Sequence, residues 1–197
     1  MTTGDWDSAI EDLTRALELN PKFPLAYLNR GFAKYKKREY DGAITDYTSA
    51  LKLNPRYMLA ISNRAAAKRE KGDFVEAIKD YNRAIDLNPK DHKSYRYRGI
   101  AKAQKSDFDG AIEDYNRALE LNPKYNPVYG NLGAAKLFQG DLDGAIKVLT
   151  RALVFNPKDR QSYTNRGAVK YRKGDLEGAI EDFNRALEIR SEQSIDL

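Results

Sequence analysis

The chain has 197 residues, of which 41% are hydrophobic and 32% charged, and 34 Lys and Arg against 29 Asp and Glu give a net charge of +5. This composition supplies a folded core and excludes a disordered chain. Zero Cys and one His exclude disulfides, thiolate chemistry and histidine pairs, so neither a metal nor a cofactor is expected. No apolar run is long enough for a membrane span and the N-terminus lacks a signal pattern, which leaves the cytoplasm as the default expectation.

A constant spacing organises the sequence. Asn-Pro pairs recur every 34 residues, and Ala-Ile pairs and further Ala-Leu or Ala-Ile pairs follow the same spacing. The Asn-Pro pairs begin at Asn20, Asn54, Asn88, Asn122 and Asn156. A period of this length indicates a repeat protein in which each repeat is one supersecondary unit.

Each repeat is predicted to form two antiparallel helices. Apolar and small residues recur at helical spacing, as in Phe108, Ala111, Ile112, Tyr115 and Ala118. Gly-Asp in mid-repeat ends the first helix and caps the second, and Asn-Pro ends the second helix. In chain order this gives a half repeat at 4–23, repeats at 24–57, 58–91, 92–125, 126–159 and 160–193, and a tail at 194–197.

The pattern resembles the tetratricopeptide repeat (TPR) family. In residues 24–57 the family positions are occupied by Gly31, Ala43, Tyr47, Ala50 and Pro55. The resemblance implies an all-α fold, a right-handed TPR solenoid with one lone N-terminal helix and five helix pairs, forming a single domain over 1–197. It does not specify a function, because the family is defined by its packing residues.

Two positions depart from the family pattern together. Four repeats carry an Arg in the first helix and an Asp in the second, whereas the fourth repeat carries Leu132 and Val148. The pairs are Arg30 with Asp46, Arg64 with Asp80, Arg98 with Asp114, and Arg166 with Asp182. We expect an ion pair inside each hairpin, replaced by an apolar pair in one, that fixes packing and binds no ligand. The lysines one turn later are expected to lay their stems beside this seam: Lys34, Lys68, Lys102, Lys136 and Lys170.

The resemblance places the first helices along a concave face, which solenoids use for binding. Asparagines share one register on these helices, with Tyr97 in their place in the middle repeat, and look like the asparagine ladder with which TPR superhelices grip extended peptides. They are Asn29, Asn63, Asn131 and Asn165. An amide both donates and accepts, as a peptide backbone requires. The alternative is that these asparagines bond neighbouring loops or helix ends.

The expected groove changes character along the chain. It runs from an apolar stretch through a basic centre to a second apolar stretch, which would suit a peptide with an acidic centre and apolar flanks. The three stretches are Leu25, Leu28, Phe32 and Tyr35; then Arg69, Lys93 and Arg96; then Leu137, Phe138 and Tyr171. The family's clamp for acidic C-terminal tails is disfavoured, because Tyr97 stands where its Arg would be. Nucleic acid is disfavoured because the basic residues are not concentrated in a stripe.

The two ends suggest other readings. Ala9, Leu13 and Ala16 would lack a first-helix partner, and Phe183, Ala186 and Ile189 would face solvent. Such apolar strips mark interfaces, so the chain is either a fragment of a longer repeat protein or associates with copies of itself. No residue constellation supports catalysis. We therefore predict a non-enzymatic scaffold for a protein or peptide; a self-assembling module and the recognition arm of a larger enzyme remain alternatives.

Overall fold

The computed structural model describes the backbone of residues 4–195 and the side chains of residues 6–189. Within that range the chain forms eleven α-helices and no strand. The helices are α1 (Gly4–Leu19), α2 (Pro24–Lys36), α3 (Tyr40–Leu53), α4 (Met58–Lys71), α5 (Phe74–Leu87), α6 (His92–Gln104), α7 (Phe108–Leu121), α8 (Pro127–Gln139), α9 (Leu142–Phe155), α10 (Arg160–Lys173) and α11 (Leu176–Ile195). The predicted all-helical solenoid with a lone N-terminal helix followed by five helix pairs is confirmed.

The turn inside each hairpin follows from its local sequence. Gly72, Gly140 and Gly174 end their helices at φ of 93°, 90° and 92°, a left-handed conformation that glycine adopts without steric cost. The Asp that follows caps the next helix in two of these turns, since the Asp141 and Asp175 carboxylates accept the amide hydrogens of Gly144 and Gly178. Asp73 makes no such side-chain cap.

The chain divides into two compact units, Met1–Ala101 (unit 1) and Lys102–Leu197 (unit 2). In unit 1, α1 packs on α2, α2 on α3, α3 on α4 and α4 on α5; in unit 2, α7 packs on α8, α8 on α9, α9 on α10 and α10 on α11. Consecutive antiparallel helices are thus neighbours in each unit. The single-domain organisation over 1–197 and the repeat boundaries remain predictions.

In three hairpins an aromatic or leucine side chain of the second helix packs against a glycine of the first: Tyr47 against Gly31, Leu149 against Gly133 and Phe183 against Gly167. A Cβ on Gly31 would lie 2.8 Å from the Tyr47 ring, and one on Gly133 would lie 2.7 Å from Leu149 Cγ. Tyr47, Tyr81 and Tyr115 are each 1% exposed, as expected for core positions. These contacts set how closely the paired helices approach.

The expectation for the C-terminal helix is wrong in detail. Ala186 and Ile189 are buried, at 7% and 1% exposure, and Phe183 is half-buried because its ring packs against Gly167 of α10. They are therefore core residues of the last hairpin. Up to residue 189, where the described side chains end, the large exposed apolar side chains of α11 are Leu176, Ile180 and Leu187, at 56%, 59% and 61%.

Candidate functional site

A ladder of ion pairs runs through the helix hairpins. Arg64 donates from Nε and Nη2 to the two Asp80 carboxylate oxygens at 2.9 and 2.6 Å, and from Nη1 to Thr48 of the preceding second helix at 3.2 Å. Arg30 and Arg166 make the same bonds, Arg30 to Asp46 and Thr14, and Arg166 to Asp182 and Thr150. The predicted pairing is confirmed in these three hairpins.

The lysines one turn after these arginines also form ion pairs with the same carboxylates. We call each Arg, Lys and Asp group of this kind the seam of its hairpin. Lys68 Nζ lies 2.8 Å from Asp80 Oδ2, so this carboxylate holds two cations. Lys34 and Lys170 pair in the same way with Asp46 and Asp182. In each of the three hairpins the buried carboxylate is held by an Arg and a Lys of the same hairpin, so these charges serve packing and the ligand site is sought elsewhere.

A pocket of about 260 Å³ opens in unit 1 between the first helices. Its lining is largely aromatic, and its polar residues other than tyrosine come from α4. The lining residues are Phe32, Tyr35, Tyr47, Ser62, Asn63, Ala66, Arg69, Tyr81 and Tyr97. An apolar concavity with a few convergent polar groups is the usual form of a binding site. We refer to it as the unit 1 pocket.

Two polar groups in the unit 1 pocket lack an internal partner. Neither the buried Tyr81 hydroxyl nor the buried Nε of Arg69 has a hydrogen-bond partner among the described residues. Burial raises the pKa of Tyr81, so its hydroxyl stays protonated and can donate. The Arg69 Nη2 group pairs with Glu70, whereas the buried Nε of the same guanidinium does not take part in this pair. Buried polar groups are nearly always bonded, so these two donors are exceptional.

Tyr97 forms one wall of the unit 1 pocket and brings the predicted basic residues to it. Its ring stacks on Tyr81 with centroids 6.2 Å apart, and the Arg69 and Arg96 guanidinium carbons lie 6.0 and 5.1 Å from its centroid. Lys93 lines an adjoining depression of about 350 Å³ that shares Asn63 and Tyr97. The predicted basic centre therefore surrounds one aromatic ring, although Glu70 neutralises part of its charge.

The other unit 1 candidates are divided between groove and core. Phe32 and Tyr35 line the pocket and are exposed and half-buried respectively, and burial raises the pKa of Tyr35. Asn63 lines the pocket, whereas Asn29 is exposed and lies outside its lining. Leu28 is only 3% exposed and belongs to the core, so its placement in the groove is wrong; it sits on the face of α2 that packs on α3.

Unit 2 carries the remaining candidates on α8 and α10. Leu137 and Asn165 line a small cavity of about 60 Å³, and Asn165 accepts a hydrogen bond from Gln161 at 2.8 Å. Phe138 and Tyr171 are each 66% exposed, and the Phe138 ring stacks on Phe108 with centroids 5.2 Å apart. Asn131 is half-buried and lies outside that cavity lining. This region offers exposed aromatic rings but a much smaller cavity than unit 1.

Sequence reasoning missed the part played by Tyr81. Its 34-residue register predicts a core aromatic, and Tyr81 is 1% exposed. Tyr81 also lines the unit 1 pocket, and its buried hydroxyl has no partner among the described residues. Its equivalents Tyr47 and Tyr115 carry the same sequence signal, so the sequence holds nothing that singles it out. Ala66 and Tyr97 both line the pocket, and Tyr97 stands at the register position that asparagine occupies in the other repeats.

Metal clusters and membrane-spanning helices are both absent from the part of the chain that the structure describes. No group of three or more His, Asp or Glu side chains there is arranged to hold a metal ion. None of the helices in that range combines the length and the apolar character that crossing a bilayer requires.

The fold and the concave pocket define a helical-repeat binding protein. Family models described as tetratricopeptide repeats match residues 24–57, 62–126, 102–164 and 161–193, and one described as TPR repeat matches residues 2–38. The chain belongs to the tetratricopeptide repeat family, and is accordingly a scaffold for protein-protein interaction. Repeat proteins of this kind are generally not enzymes. No curated protein matches the chain significantly in sequence.

Solved structures share this architecture. A crystal structure of MamA is 26% identical, with a TM-score of 0.75, over 83% of this chain and 96% of that one. A tetratricopeptide repeat protein from Parabacteroides merdae is also 26% identical, with a TM-score of 0.82, over 94% of this chain and 73% of that one. YrrB, described as a TPR protein with an unusual peptide-binding site, is 21% identical with a TM-score of 0.70, over 92% and 94%. At that identity the likeness to YrrB concerns the fold.

Proposed function

We propose that the chain binds a segment of a partner protein in the unit 1 pocket. The observation that carries this proposal is the pair of buried donors, Tyr81 Oη and Arg69 Nε, that have no partner among the described residues and line an aromatic cavity. An unsatisfied buried donor costs about 1–3 kcal/mol, which a bound acceptor recovers. The ligand therefore supplies an oxygen acceptor to these donors.

The walls indicate the rest of the ligand. Phe32, Tyr35 and Tyr97 offer ring faces to an apolar side chain, while Asn63 offers an amide to a peptide bond. Lys93 and Arg96 favour a carboxylate as the acceptor, since both carry positive charge beside the Tyr97 ring. The proposed ligand is an extended peptide with an acidic residue next to an apolar one. Within unit 1 the predicted asparagine ladder is represented by Asn29 and Asn63, and Asn29 would extend the same site.

The test separates binding from folding with one hydroxyl. Tyr81→Phe removes a donor that has no internal partner, so we expect the free protein to be unchanged or up to about 1 kcal/mol more stable. Partner binding is expected to weaken about tenfold. Tyr115→Phe makes the same change at the equivalent position of unit 2 and should leave partner binding unaffected.

The partner is identified by photo-crosslinking and then titrated. A benzophenone amino acid replaces Phe32 at the mouth of the pocket, and a matched protein carries it at the exposed Val75 of α5. We expect a cross-linked partner segment from position 32 and not from position 75. Equal cross-linking from both positions, or undiminished affinity in the Tyr81→Phe variant, would exclude the pocket as the binding site.

Self-association through α11 is the second candidate. It is supported by the exposed strip of Leu176, Ile180 and Leu187, because exposed apolar patches mark interfaces. We expect dimers or larger species in light scattering that a Leu176→Lys, Ile180→Glu, Leu187→Lys variant abolishes. A strict monomer at high protein concentration would remove this candidate and leave the pocket proposal untouched.

A further inference from the structure

The fourth repeat lacks a side-chain bridge that three other hairpins contain. In three hairpins the Arg side chain crosses from a Thr of the preceding second helix to the Asp of its own second helix, as Arg166 does between Thr150 and Asp182. At the same positions the fourth repeat has Asn116, Leu132 and Val148. A leucine side chain is too short to span that space and has no donor for either side.

A depression of about 530 Å³ lies where this bridge is missing. Its base is apolar and its rim is polar, formed by α7, α8 and α9 within unit 2. The base consists of Leu119, Tyr129, Leu132 and Val148, and the rim includes Asn116, Glu120, Lys147 and Arg151. We call it the Leu132 depression. The candidate groove residues of unit 2 lie on α8 and α10, so α8 is the helix that the groove and the Leu132 depression have in common.

The rim carries positive charge that the chain does not neutralise. Arg117 and Arg185 are bound by the Glu three residues later on the same helix, at 2.7 and 2.8 Å. The residue three positions after Arg151 is not a glutamate but Val154, which is 74% exposed. In the described part of the chain Arg151 and Lys147 make no ion pair, and both are exposed. Two cations thus face an apolar base.

We infer that the Leu132 depression docks a protein segment in which an aliphatic side chain is flanked by carboxylates. The aliphatic side chain packs on Leu119, Leu132 and Val148, and the carboxylates meet Lys147 and Arg151 at the rim. Charge complementarity selects an acidic partner over a neutral one. The Asn116 amide at the edge binds peptide groups, which a fatty acid does not offer. This site is independent of the unit 1 pocket.

The test fills the depression with the repeat's own bridge. Leu132→Arg with Val148→Asp restores the pair found in three other hairpins, and Asn116 can accept from the new guanidinium, just as Asn82 accepts from Arg98 at 2.6 Å. This variant is therefore expected to fold, which circular dichroism verifies. The probe is a fluorescein-labelled peptide with one leucine between glutamates, and its affinity is measured by fluorescence anisotropy. We expect saturable binding below about 1 mM for the natural chain and at least about tenfold weaker binding for the variant.

Four controls assign the contact. Lys147→Glu with Arg151→Glu leaves the base intact and should also weaken binding about tenfold, as should glutamine in place of the peptide's glutamates. The unit 1 pocket takes a peptide of similar chemistry, so Tyr81→Phe should weaken binding there but leave the response of the Leu132 and Val148 methyl signals to the peptide unchanged, which separates the two sites. Methyl NMR of Leu132 and Val148 should shift on titration. The inference is overturned by absence of saturable binding, by equal affinity in the bridge-restored variant, or by laurate displacing the peptide.

Discussion

The seam of unit 1 gives a sharp test of how ion pairs are used in this fold. Asp80 is 5% exposed and accepts from Arg64 at 2.6 and 2.9 Å and from Lys68 at 2.8 Å. Asp80→Val leaves two mostly buried cations without their carboxylate. Removing one partner of a buried network costs about 3–5 kcal/mol, so the variant should be destabilised by about that amount.

The fourth repeat shows how the loss can be repaired. It replaces both partners by an apolar pair, and Lys136 Nζ then bonds Asp141 Oδ2 at 2.6 Å. Asp73 follows Lys68 at the same distance in sequence. Arg64→Leu with Asp80→Val should therefore cost only about 1 kcal/mol, because an apolar pair can replace a buried ion pair at little cost and Lys68 gains a new partner.

The assay is urea unfolding followed by circular dichroism, applied to both single variants and the double variant. The two changes should be non-additive by about 2 kcal/mol or more. Asp73→Asn in the double variant is the control, and it should remove part of the recovery. If Asp80→Val alone costs under about 1 kcal/mol, or if the double variant is as unstable as Asp80→Val, the carboxylate is not what holds the seam.

Two further predictions concern unit 2. Burial opposes ionisation of Asp182, but hydrogen bonds from Arg166 and Lys170 outweigh it and hold its pKa below the ordinary 3.8. This stability is present above the unfolded pKa and is lost as the pH falls below about 4, so Asp182→Asn should flatten the acid limb of a stability-pH profile; an unchanged limb would contradict the pairing. In α8, a Cβ on Gly133 meets Leu149 at 2.7 Å while one on Gly130 meets nothing closer than 3.7 Å. In thermal unfolding Gly133→Ala should cost about 1–3 kcal/mol and Gly130→Ala should gain about 0.5–1 kcal/mol, and the same sign for both would refute the packing argument.

The repeat and the positions of its helices can be predicted from the sequence alone. Gly72 and the Asn-Pro pairs fix where helices end because backbone conformation at these residues depends on local sterics alone. The pairing of Arg64 with Asp80 could also be predicted from the sequence, since their equal distance from the hairpin turn places them opposite each other. Periodicity carries this much because neighbouring helices of a repeat protein contact mainly each other.

Which side chains form sites depends on the tertiary structure. Tyr81 and Tyr115 have the same sequence signal, yet whether such a tyrosine lines a pocket depends on what neighbouring helices place around it. In the sequence Leu132 is an apolar residue in place of an arginine. The depression beside it, with Lys147 and Arg151 at the rim, results from how three helices pack. The sequence pattern predicts that Phe183 faces solvent, because the sequence contains no measure of how deeply a ring enters its own hairpin. Cavities and unmet hydrogen bonds arise from the combined shape of several helices, which no single repeat encodes.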